Sequence, residues 1–211
     1  MPGIDRINIA LFKIGIMEQK ILRVAITGNI ASGKSHVLKR LSKHFRTIDC
    51  DSIVTDFYKK GFFRKILKKE FGFSDKKEIA KVVFADKRKM KKLEKIIWPL
   101  VRKKLAELFA IKTSKKAVIV EVPLLYEAKM QDLFDLVVFV DCKKSGQIKR
   151  LQKRGLSRKE TLARINSQMC ASMKSKKADI VLENNHSLKQ LDRKIDSLIN
   201  ILERISFLAN Y

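Results

Sequence analysis

The sequence predicts an α/β fold built on a parallel sheet, and three observations support this prediction. Residues 28–35 read Gly-Asn-Ile-Ala-Ser-Gly-Lys-Ser, the G-x-x-x-x-G-K-S pattern of a phosphate-binding loop. Residues 117–122 are almost continuously apolar, as expected of a strand that is buried on both faces of a parallel sheet. Five strand-like segments alternate with helical patterns along 211 residues, a length that fits one domain with an inserted subdomain.

The first predicted strand, residues 21–27, leads into the phosphate-binding loop. Glycines let successive N–H groups of such a loop face one point, and the helix that follows adds the positive end of its dipole. Lys34 would place a charge on the β- and γ-phosphates, and the Ser35 hydroxyl would bind Mg²⁺. A chance glycine-rich turn is the alternative, but the flanking strand and helix oppose it. The loop therefore predicts a nucleoside triphosphate and leaves the reaction open. The predicted nucleotide-binding residues here are Gly28, Asn29, Ile30, Ala31, Ser32, Gly33, Lys34, Ser35 and His36.

The second predicted strand, residues 45–51, ends in two carboxylates, Asp49 and Asp51. Side chains two residues apart in an extended segment point the same way. Side chains at the carboxyl end of a strand in an α/β sheet reach the ligand crevice. Asp51 is therefore predicted to be catalytic, beside the phosphate-binding loop. The alternative is that it caps the helix that follows.

Residues 52–111 have an almost entirely helical pattern. Two short helices are predicted first, and a long helix over residues 87–111 follows. Pro99 should bend this long helix or divide it. Sixty helical residues exceed what a crossover between two strands requires. We therefore predict an inserted substrate-binding subdomain over residues 56–114.

The third predicted strand, residues 117–122, carries an acidic residue near its end. At that place Glu121 could hold the shell of a bound Mg²⁺, directly or through water. The predicted metal site therefore consists of Ser35 and Glu121. Residues 136–141 are predicted as the fourth strand.

Residues 146–175 form a basic helical pair that is predicted to act as a lid. Arg150 and Arg154 are four residues apart, a spacing that places two residues on one helix face. Ser157 and Glu160 have the spacing of a capping box, which would start the next helix. Arginines in a lid would neutralise charge that develops in the transition state. An ordinary basic helical hairpin is the alternative.

The last part of the chain completes the predicted core. Residues 178–182 read as a fifth strand, and the segment after residue 187 carries one apolar stripe at helical spacing, which is typical of packing. The predicted organisation is an N-terminal extension over residues 1–20 and a core domain made of residues 21–55, 115–145 and 176–211.

Composition bounds the function and the location of the protein. The net charge of +25 attracts polyanions such as nucleic acid or a polyphosphate substrate, although a solvated lysine-rich face explains it equally well. The three cysteines lie far apart and form no C-x-x-C pair, so neither a zinc site nor a disulfide framework is indicated. This pattern favours a cytoplasmic location. No apolar run reaches the ~18 residues of a membrane span.

Several segments of the chain together form a pattern that is more specific than the loop. They are Thr27-Gly28 and Gly33-Lys34-Ser35, Ile48-Asp49-Cys50-Asp51, Val122-Pro123-Leu124-Leu125-Tyr126-Glu127, Val140-Asp141, Gln147, Arg150, Arg154, Gln168, Ala178-Asp179 and Asn184-Asn185. The phosphate-binding loop is generic to many kinases, whereas the I-D-x-D and P-L-L-x-E segments are far more specific. In this order and spacing the segments closely resemble the dephospho-CoA kinase family, over about residues 21–205.

The resemblance implies a three-layer fold similar to that of nucleoside monophosphate kinases, with a five-stranded parallel sheet, a helical CoA-binding insertion and a lid. It implies that the γ-phosphate of ATP is transferred to the 3′-hydroxyl of dephospho-CoA, the last step of coenzyme A biosynthesis, with ATP and Mg²⁺ as cofactors. By the same resemblance the site residues have these roles: Asp51 as base or hydroxyl-orienting carboxylate, Lys34 and Ser35 at the phosphates and Mg²⁺, Arg150 and Arg154 as lid arginines, and Asn184 near the base of ATP.

The chain departs from the family pattern at several places. Ala31 stands where the family often has glycine, and alanine carries a cost there if the position needs a positive φ. His36 stands where threonine is usual. Ala171 and Lys174 stand where arginines are common, so they affect the contacts expected of the lid.

Two other functions stay open at this point. One is another small-molecule kinase of the same fold, of the nucleoside monophosphate kinase type. The other is a basic nucleic-acid-binding ATPase. The charge favours this second function, but no cluster of exposed aromatic residues and no RNA or DNA motif supports it. We therefore expect dephospho-CoA as the partner, no nucleic acid, no membrane, and a monomer or weak homo-oligomer.

Overall fold

A computed structural model describes residues 21–208 of the chain. Contacts divide the chain into two compact units. Among the described residues, one unit comprises residues 21–48 and 113–208, and the other is Asp49–Lys112. The predicted N-terminal extension, residues 1–20, lies outside the described residues. The roles predicted for residues 56–114 and for the lid stay predictions.

A five-stranded sheet organises the first unit. Its strands are β1 (Leu22–Thr27), β2 (Arg46–Asp49), β3 (Ala117–Glu121), β4 (Leu136–Asp141) and β5 (Ile180–Glu183), arranged in the order β2-β3-β1-β4-β5. β1 pairs in parallel with both β3 and β4, and β4 pairs in parallel with β5. The predicted α/β fold with a five-stranded parallel sheet is therefore confirmed.

Helices account for most of the remaining described residues. They are α1 (Lys34–Leu41), α2 (Cys50–Lys59), α3 (Gly61–Phe71), α4 (Lys76–Ala85), α5 (Lys87–Phe109), α6 (Lys144–Lys153), α7 (Arg158–Asn166), α8 (Ala171–Lys177) and α9 (Leu188–Leu208), with a short 3₁₀ turn at Gln131–Leu133.

The three central strands of the sheet, β3, β1 and β4, are buried on both faces. Ile26 of β1 and Val138 of β4 share a core with α1 and α9 on one face. Their neighbours in sequence point to the opposite face because side chains alternate along a strand, and Ala25 and Phe139 are both 0% exposed. The predicted apolar stripe of α9 packs into the first core with Leu191, Ile195, Leu198, Leu202 and Ile205. The sheet is thus a rigid support for the loops that follow its strands.

The second unit is helical, as predicted for residues 52–111. Phe57 and Phe63 are buried in it, with ring centroids 5.9 Å apart. α5 continues through Pro99, so a division of the long helix there is wrong, and the alternative of a bend at Pro99 stays a prediction. Proline removes one backbone hydrogen bond from a helix. Leu93 and Val101, on either side of Pro99, are both buried, so each half of α5 contributes a buried side chain.

Candidate active site

The phosphate-binding loop joins β1 to α1. The Ser32 N–H donates to the Asn29 carbonyl at 3.1 Å, which closes a turn, and α1 begins at Lys34. Gly33 has a φ of 106°, a conformation that side chains with a Cβ rarely adopt. A Cβ on Gly33 would also collide with the Asn184 amide. The start of α1 presents backbone N–H groups and the positive end of the helix dipole, which make this end of the helix suited to an anion.

Ala31 adopts the left-handed conformation, with a φ of 59°. A residue with a Cβ costs roughly 1–2 kcal/mol in this region. Ala31 therefore carries the free-energy cost expected of an alanine at a position with a positive φ. The Ala31 side chain is buried and packs in a small apolar cluster with Leu151 and Ile165. This contact offsets part of the backbone strain and attaches the loop to the helical pair α6 and α7.

The Lys34 side chain is buried, with 7% of the residue exposed. Its Nζ donates to the Asn29 carbonyl at 3.3 Å. The ammonium group therefore lies over the backbone of the phosphate-binding loop and not in solvent.

The two predicted metal ligands lie next to each other. Ser35 is in the first turn of α1 and Glu121 ends β3, the neighbour of β1 in the sheet. The Ser35 hydroxyl donates to Glu121 Oε1 at 3.5 Å, and Glu121 is buried. Among residues 21–208 no group of three or more histidine, cysteine or acidic side chains has the arrangement of a metal centre. One hydroxyl and one carboxylate fit Mg²⁺, which binds through few protein oxygens and keeps several waters.

Arg150 and Asn184 hold the second half of the loop. Arg150 Nη1 donates to the carbonyls of Ala31 at 3.0 Å and Ser32 at 3.2 Å, and Nη2 donates to the Asn184 carbonyl at 3.3 Å. Asn184 Nδ2 donates to the Ser32 carbonyl at 2.7 Å, and Asn184 is buried. The structure thus brings two residues predicted for other parts of the nucleotide site onto the backbone of the loop.

Arg154 lies just after α6, with φ −89° and ψ 9°, and its side chain is exposed. The helix ends because Gly155 adopts the left-handed conformation, with a φ of 86°. The Gly155 N–H then donates to the Gln152 carbonyl and the Leu156 N–H donates to the Leu151 carbonyl, the pattern of a Schellman motif. Arg154 is therefore the residue that directly follows α6, and the shared helix face and shared role of Arg150 and Arg154 stay predictions.

The His36 side chain is directed to α9. Its Nε2 lies 2.7 Å from Asp192 Oδ1, and Arg40 Nη1 lies 3.2 Å from the same oxygen. The hydrogen bond with His36, together with the charge of Arg40, lowers the pKa of the Asp192 carboxyl. The ring of this predicted nucleotide-binding residue therefore links α1 to the last helix.

A turn after α7 also contacts the loop. Gln168 Oε1 accepts from the Ile30 N–H at 2.7 Å, and Asn29 Nδ2 donates to the Met169 carbonyl at 3.4 Å. The Met169 N–H in turn donates to Glu127 Oε1 at 3.0 Å. The sequence analysis did not predict these contacts. The sequence feature that could have indicated them is the carboxylate of Glu127, at the end of the P-L-L-Y-E segment that follows the buried strand β3.

Three buried oxygens around the loop have no hydrogen-bond partner within residues 21–208. They are Thr27 Oγ1, Asn29 Oδ1 and Ser32 Oγ. A buried polar atom without a partner carries a free-energy cost, and most such atoms in proteins are paired. Their concentration in one loop is typical of a site that a polar ligand or water completes.

Asp51 does not lie in an extended segment, so this part of the prediction is wrong. β2 ends at Asp49, and α2 begins at Cys50. Asp49 Oδ1 accepts from the Asp51 N–H at 2.9 Å, and Asp49 Oδ2 accepts from the Ser52 hydroxyl at 2.8 Å. An aspartate in this position satisfies the open N–H groups of a helix start. Asp49 is therefore the cap, and Asp51 is an exposed residue of the first turn of α2.

Comparison with known proteins identifies one family. The family model described as dephospho-CoA kinase matches residues 22–190. The dephospho-CoA kinase of Thermobifida fusca is 32% identical over 196 residues, which cover 87% of this chain and 98% of that protein. That of Fusobacterium nucleatum is 36% identical over 187 residues, which cover 83% of this chain and 96% of that protein.

Solved structures give the same result for the fold. A dephospho-CoA kinase from Campylobacter jejuni is 28% identical and superposes with a TM-score of 0.62, over 84% of this chain and 95% of that one. The predicted kinase fold is therefore confirmed. The comparisons favour the dephospho-CoA kinase interpretation over another small-molecule kinase and over a nucleic-acid-binding ATPase.

Proposed function

Because the chain belongs to the dephospho-CoA kinase family, we propose that it transfers the γ-phosphoryl group of ATP to the 3′-hydroxyl of dephospho-CoA. The products are CoA and ADP, and the reaction is the last step of coenzyme A biosynthesis. The observation that carries this proposal is the phosphate-binding loop, in which the buried Lys34 ammonium lies over a backbone fixed by Arg150 and Asn184.

ATP binds through its phosphates to the loop in this proposal. The unpaired oxygens of Thr27, Asn29 and Ser32 support a polar ligand or ordered water there. Lys34 neutralises charge on the β- and γ-phosphates, and this interaction strengthens as charge develops in the transition state. Asn184 borders the loop, where it contributes to the nucleotide pocket.

Ser35 and Glu121 would hold Mg²⁺, because a hydroxyl and a carboxylate lie 3.5 Å apart at the end of the loop. The ion supplies positive charge to the β- and γ-phosphate oxygens when it is bound. The buried position of Glu121 keeps its carboxylate beside Ser35.

The chemistry proposed for the acceptor is in-line displacement. The bond between the 3′-oxygen and the γ-phosphorus forms as the bond from that phosphorus to the bridging oxygen breaks, and ADP leaves with the electron pair. Asp51 orients the 3′-hydroxyl or accepts its proton. Aspartate is a weak base, with an ordinary pKa near ~3.9, so positioning matters more than proton removal in a loose transition state. Arg150 and Arg154 neutralise the charge of the transferred group.

We also propose a cytoplasmic location and a monomer or weak homo-oligomer, without a nucleic-acid partner. None of the three cysteines forms a disulfide in the described part of the chain, which suits a reducing compartment. No helix among residues 21–208 is long and apolar enough to cross a membrane. Sedimentation of the purified protein measures the oligomeric state.

A coupled assay of ADP release with Mg·ATP and dephospho-CoA tests the function. We expect ADP release that depends on dephospho-CoA, and CoA as the product. Lys34→Ala should lower kcat by about 10²–10³-fold, because it removes a preorganised charge from the transition state. The matched control is Lys39→Ala, which removes an exposed lysine from the same helix.

Two results of this assay would contradict the proposal. ADP release with nucleoside monophosphates but not with dephospho-CoA would identify a different small-molecule kinase. ATP hydrolysis that requires duplex DNA or RNA, weakens with salt and yields no CoA would identify a nucleic-acid-binding ATPase.

A further inference from the structure

We infer that Glu127 and Lys174 are positioning residues that fix the phosphate-binding loop for ATP through the turn at residues 168–169. This inference rests on the proposed function, because ATP is the ligand whose binding it concerns. Neither side chain has a hydrogen bond to the loop within residues 21–208, so their effect passes through the backbone and side chain of the turn.

Glu127 and Lys174 form an ion pair in which the lysine is fully buried and the glutamate side chain is 19% exposed. Lys174 of α8 is 0% exposed, and its Nζ lies 2.8 Å from Glu127 Oε1. Lys174 Nζ also donates to the Pro123 carbonyl at 3.5 Å. The pair therefore joins α8 to the segment that follows β3.

One oxygen of Glu127 makes all the hydrogen bonds of its carboxylate within residues 21–208. Oε1 accepts from the Met169 N–H at 3.0 Å and also faces Lys174, whereas Oε2 is buried without a partner. A carboxylate oxygen is a stronger acceptor for a backbone N–H than a neutral oxygen, and the Lys174 ammonium lies beside the same oxygen. Glu127 thus supplies the acceptor that fixes the place of the Met169 N–H, and Lys174 neutralises its charge.

The turn passes this constraint to the first half of the loop. The Met169 carbonyl accepts from Asn29 Nδ2 at 3.4 Å. The neighbouring Gln168 accepts from the Ile30 N–H at 2.7 Å. Since the Ile30 N–H is used by Gln168, this part of the loop is shaped by the protein before a nucleotide binds. Preorganisation of this kind raises affinity, because less order has to be created on binding.

Stability alone explains the pair poorly. Removing two charges from water is costly, and apolar residues of similar volume often replace a buried ion pair without loss of stability. An apolar pair would, however, leave the Met169 N–H without its acceptor. The acceptor function of Glu127, with Lys174 as its neutralising partner, is what an apolar pair cannot supply.

Two double variants separate the acceptor role of Glu127 from the charges of the ion pair. Glu127→Gln with Lys174→Met removes both charges and keeps an acceptor for the Met169 N–H. Glu127→Leu with Lys174→Met removes both charges and the acceptor. Lys176→Met, an exposed change on the same helix, controls for the loss of positive charge. For each protein the dissociation constant of Mg·ATP is measured by calorimetry, together with the melting temperature.

We expect the Gln/Met double variant to bind ATP within about twofold of the unchanged protein. The Leu/Met double variant should bind ATP about tenfold more weakly, the effect of one lost hydrogen bond that holds the loop. KM for dephospho-CoA should not change in either variant. Equal ATP affinity in the two double variants would overturn the inference. A parallel loss of ATP affinity, dephospho-CoA affinity and melting temperature would assign the pair a general structural role and overturn it too.

Gln168→Met keeps the test decisive if the Leu/Met double variant does not fold. Gln168 is half-buried at the end of the proposed series of contacts, so this change should leave the melting temperature unchanged and weaken ATP binding about tenfold. Unchanged ATP affinity in Gln168→Met would overturn the inference. Where all variants fold, Gln168→Met can be combined with the Leu/Met double variant. The combined protein should lose ATP affinity by the larger of the two separate factors and not by their product, because the residues act in series.

The same measurements distinguish the inference from the proposed function. If the unchanged protein binds no Mg·ATP, the proposed function fails. If it binds Mg·ATP and the variants behave as the unchanged protein does, only the role of Glu127 and Lys174 fails.

Discussion

The backbone of Asp51 is held in place by a second carboxylate, that of Asp49. The Asp49 side chain caps α2, and this fixes the Asp51 backbone in the first helical turn. If Asp51 orients the acceptor hydroxyl, Asp51→Asn should lower kcat by about 10²-fold or more and change KM for ATP little. Steady-state kinetics at saturating dephospho-CoA measures both constants.

A matched change on the same helix controls for effects on its stability. Asp56→Asn removes a carboxylate that pairs with exposed Lys59, so its kcat should stay near that of the unchanged protein. An unchanged kcat in Asp51→Asn would rule out the catalytic role of Asp51.

At the scale of elements, the start of α7 is defined by a capping box. Glu160 Oε2 accepts from the Ser157 N–H and hydroxyl, and the Glu160 N–H donates to Ser157 Oγ. These hydrogen bonds, first that of the Ser157 hydroxyl, lower the pKa of the Glu160 carboxyl. Because the folded pKa is below the unfolded value of ~4.3, the stabilisation is present above that pH and is lost as the pH falls through the folded pKa.

Ser157→Ala should therefore lower the melting temperature more at pH ~7 than at pH ~3.5. The difference should shrink without vanishing, because the Ser157 oxygen accepts the Glu160 N–H in either protonation state of the carboxyl. Thermal unfolding at the two pH values measures it. Ser197→Ala, an exposed change within α9, is the control, and an equal effect of Ser157→Ala at both pH values would argue against the contribution of Glu160.

At the scale of the whole molecule, the net charge of +25 opposes the folded state, because like charges are held closer together there than in the unfolded chain. The Debye length falls from about 10 Å at 0.1 M salt to about 3 Å at 1 M, so added salt weakens this repulsion. The melting temperature should therefore rise as KCl increases from about 0.05 M to about 0.5 M. The same titration of Lys34→Ala separates screening from anion binding in the loop. A melting temperature that falls with salt would show that attractive ion pairs dominate.

The parts of the structure that the sequence predicts well depend on local patterns. The loop over residues 28–35 has its own glycine spacing, β3 its apolar run, and α9 its apolar stripe. The capping box of α7 also depends on residues three apart. In each case the physical cause lies within a few residues, so a pattern is enough.

The parts that the sequence does not predict depend on competition or on distant partners. At residues 49–51 an aspartate cap competes with an extended strand, and the hydrogen bonds to Asp49 favour the helix. Lys174 and Glu127 meet only because α8 packs next to the segment after β3. His36 likewise meets Asp192 of the last helix. No periodicity marks such pairs in advance.

The strand order constrains how the chain can assemble during its synthesis. β1 lies between β3 and β4, and Leu22 is in register with Ala117. A nascent chain therefore exposes an apolar strand that finds no sheet neighbour until the whole of Asp49–Lys112 has left the ribosome. The chain from β1 to β3 must close a long loop before the two strands pair, and this delays their pairing. The entropy cost of closing a loop grows only slowly with its length, so the paired strands lose little stability. During translation, β1 is therefore an apolar segment that a chaperone can protect until β3 and β4 are made.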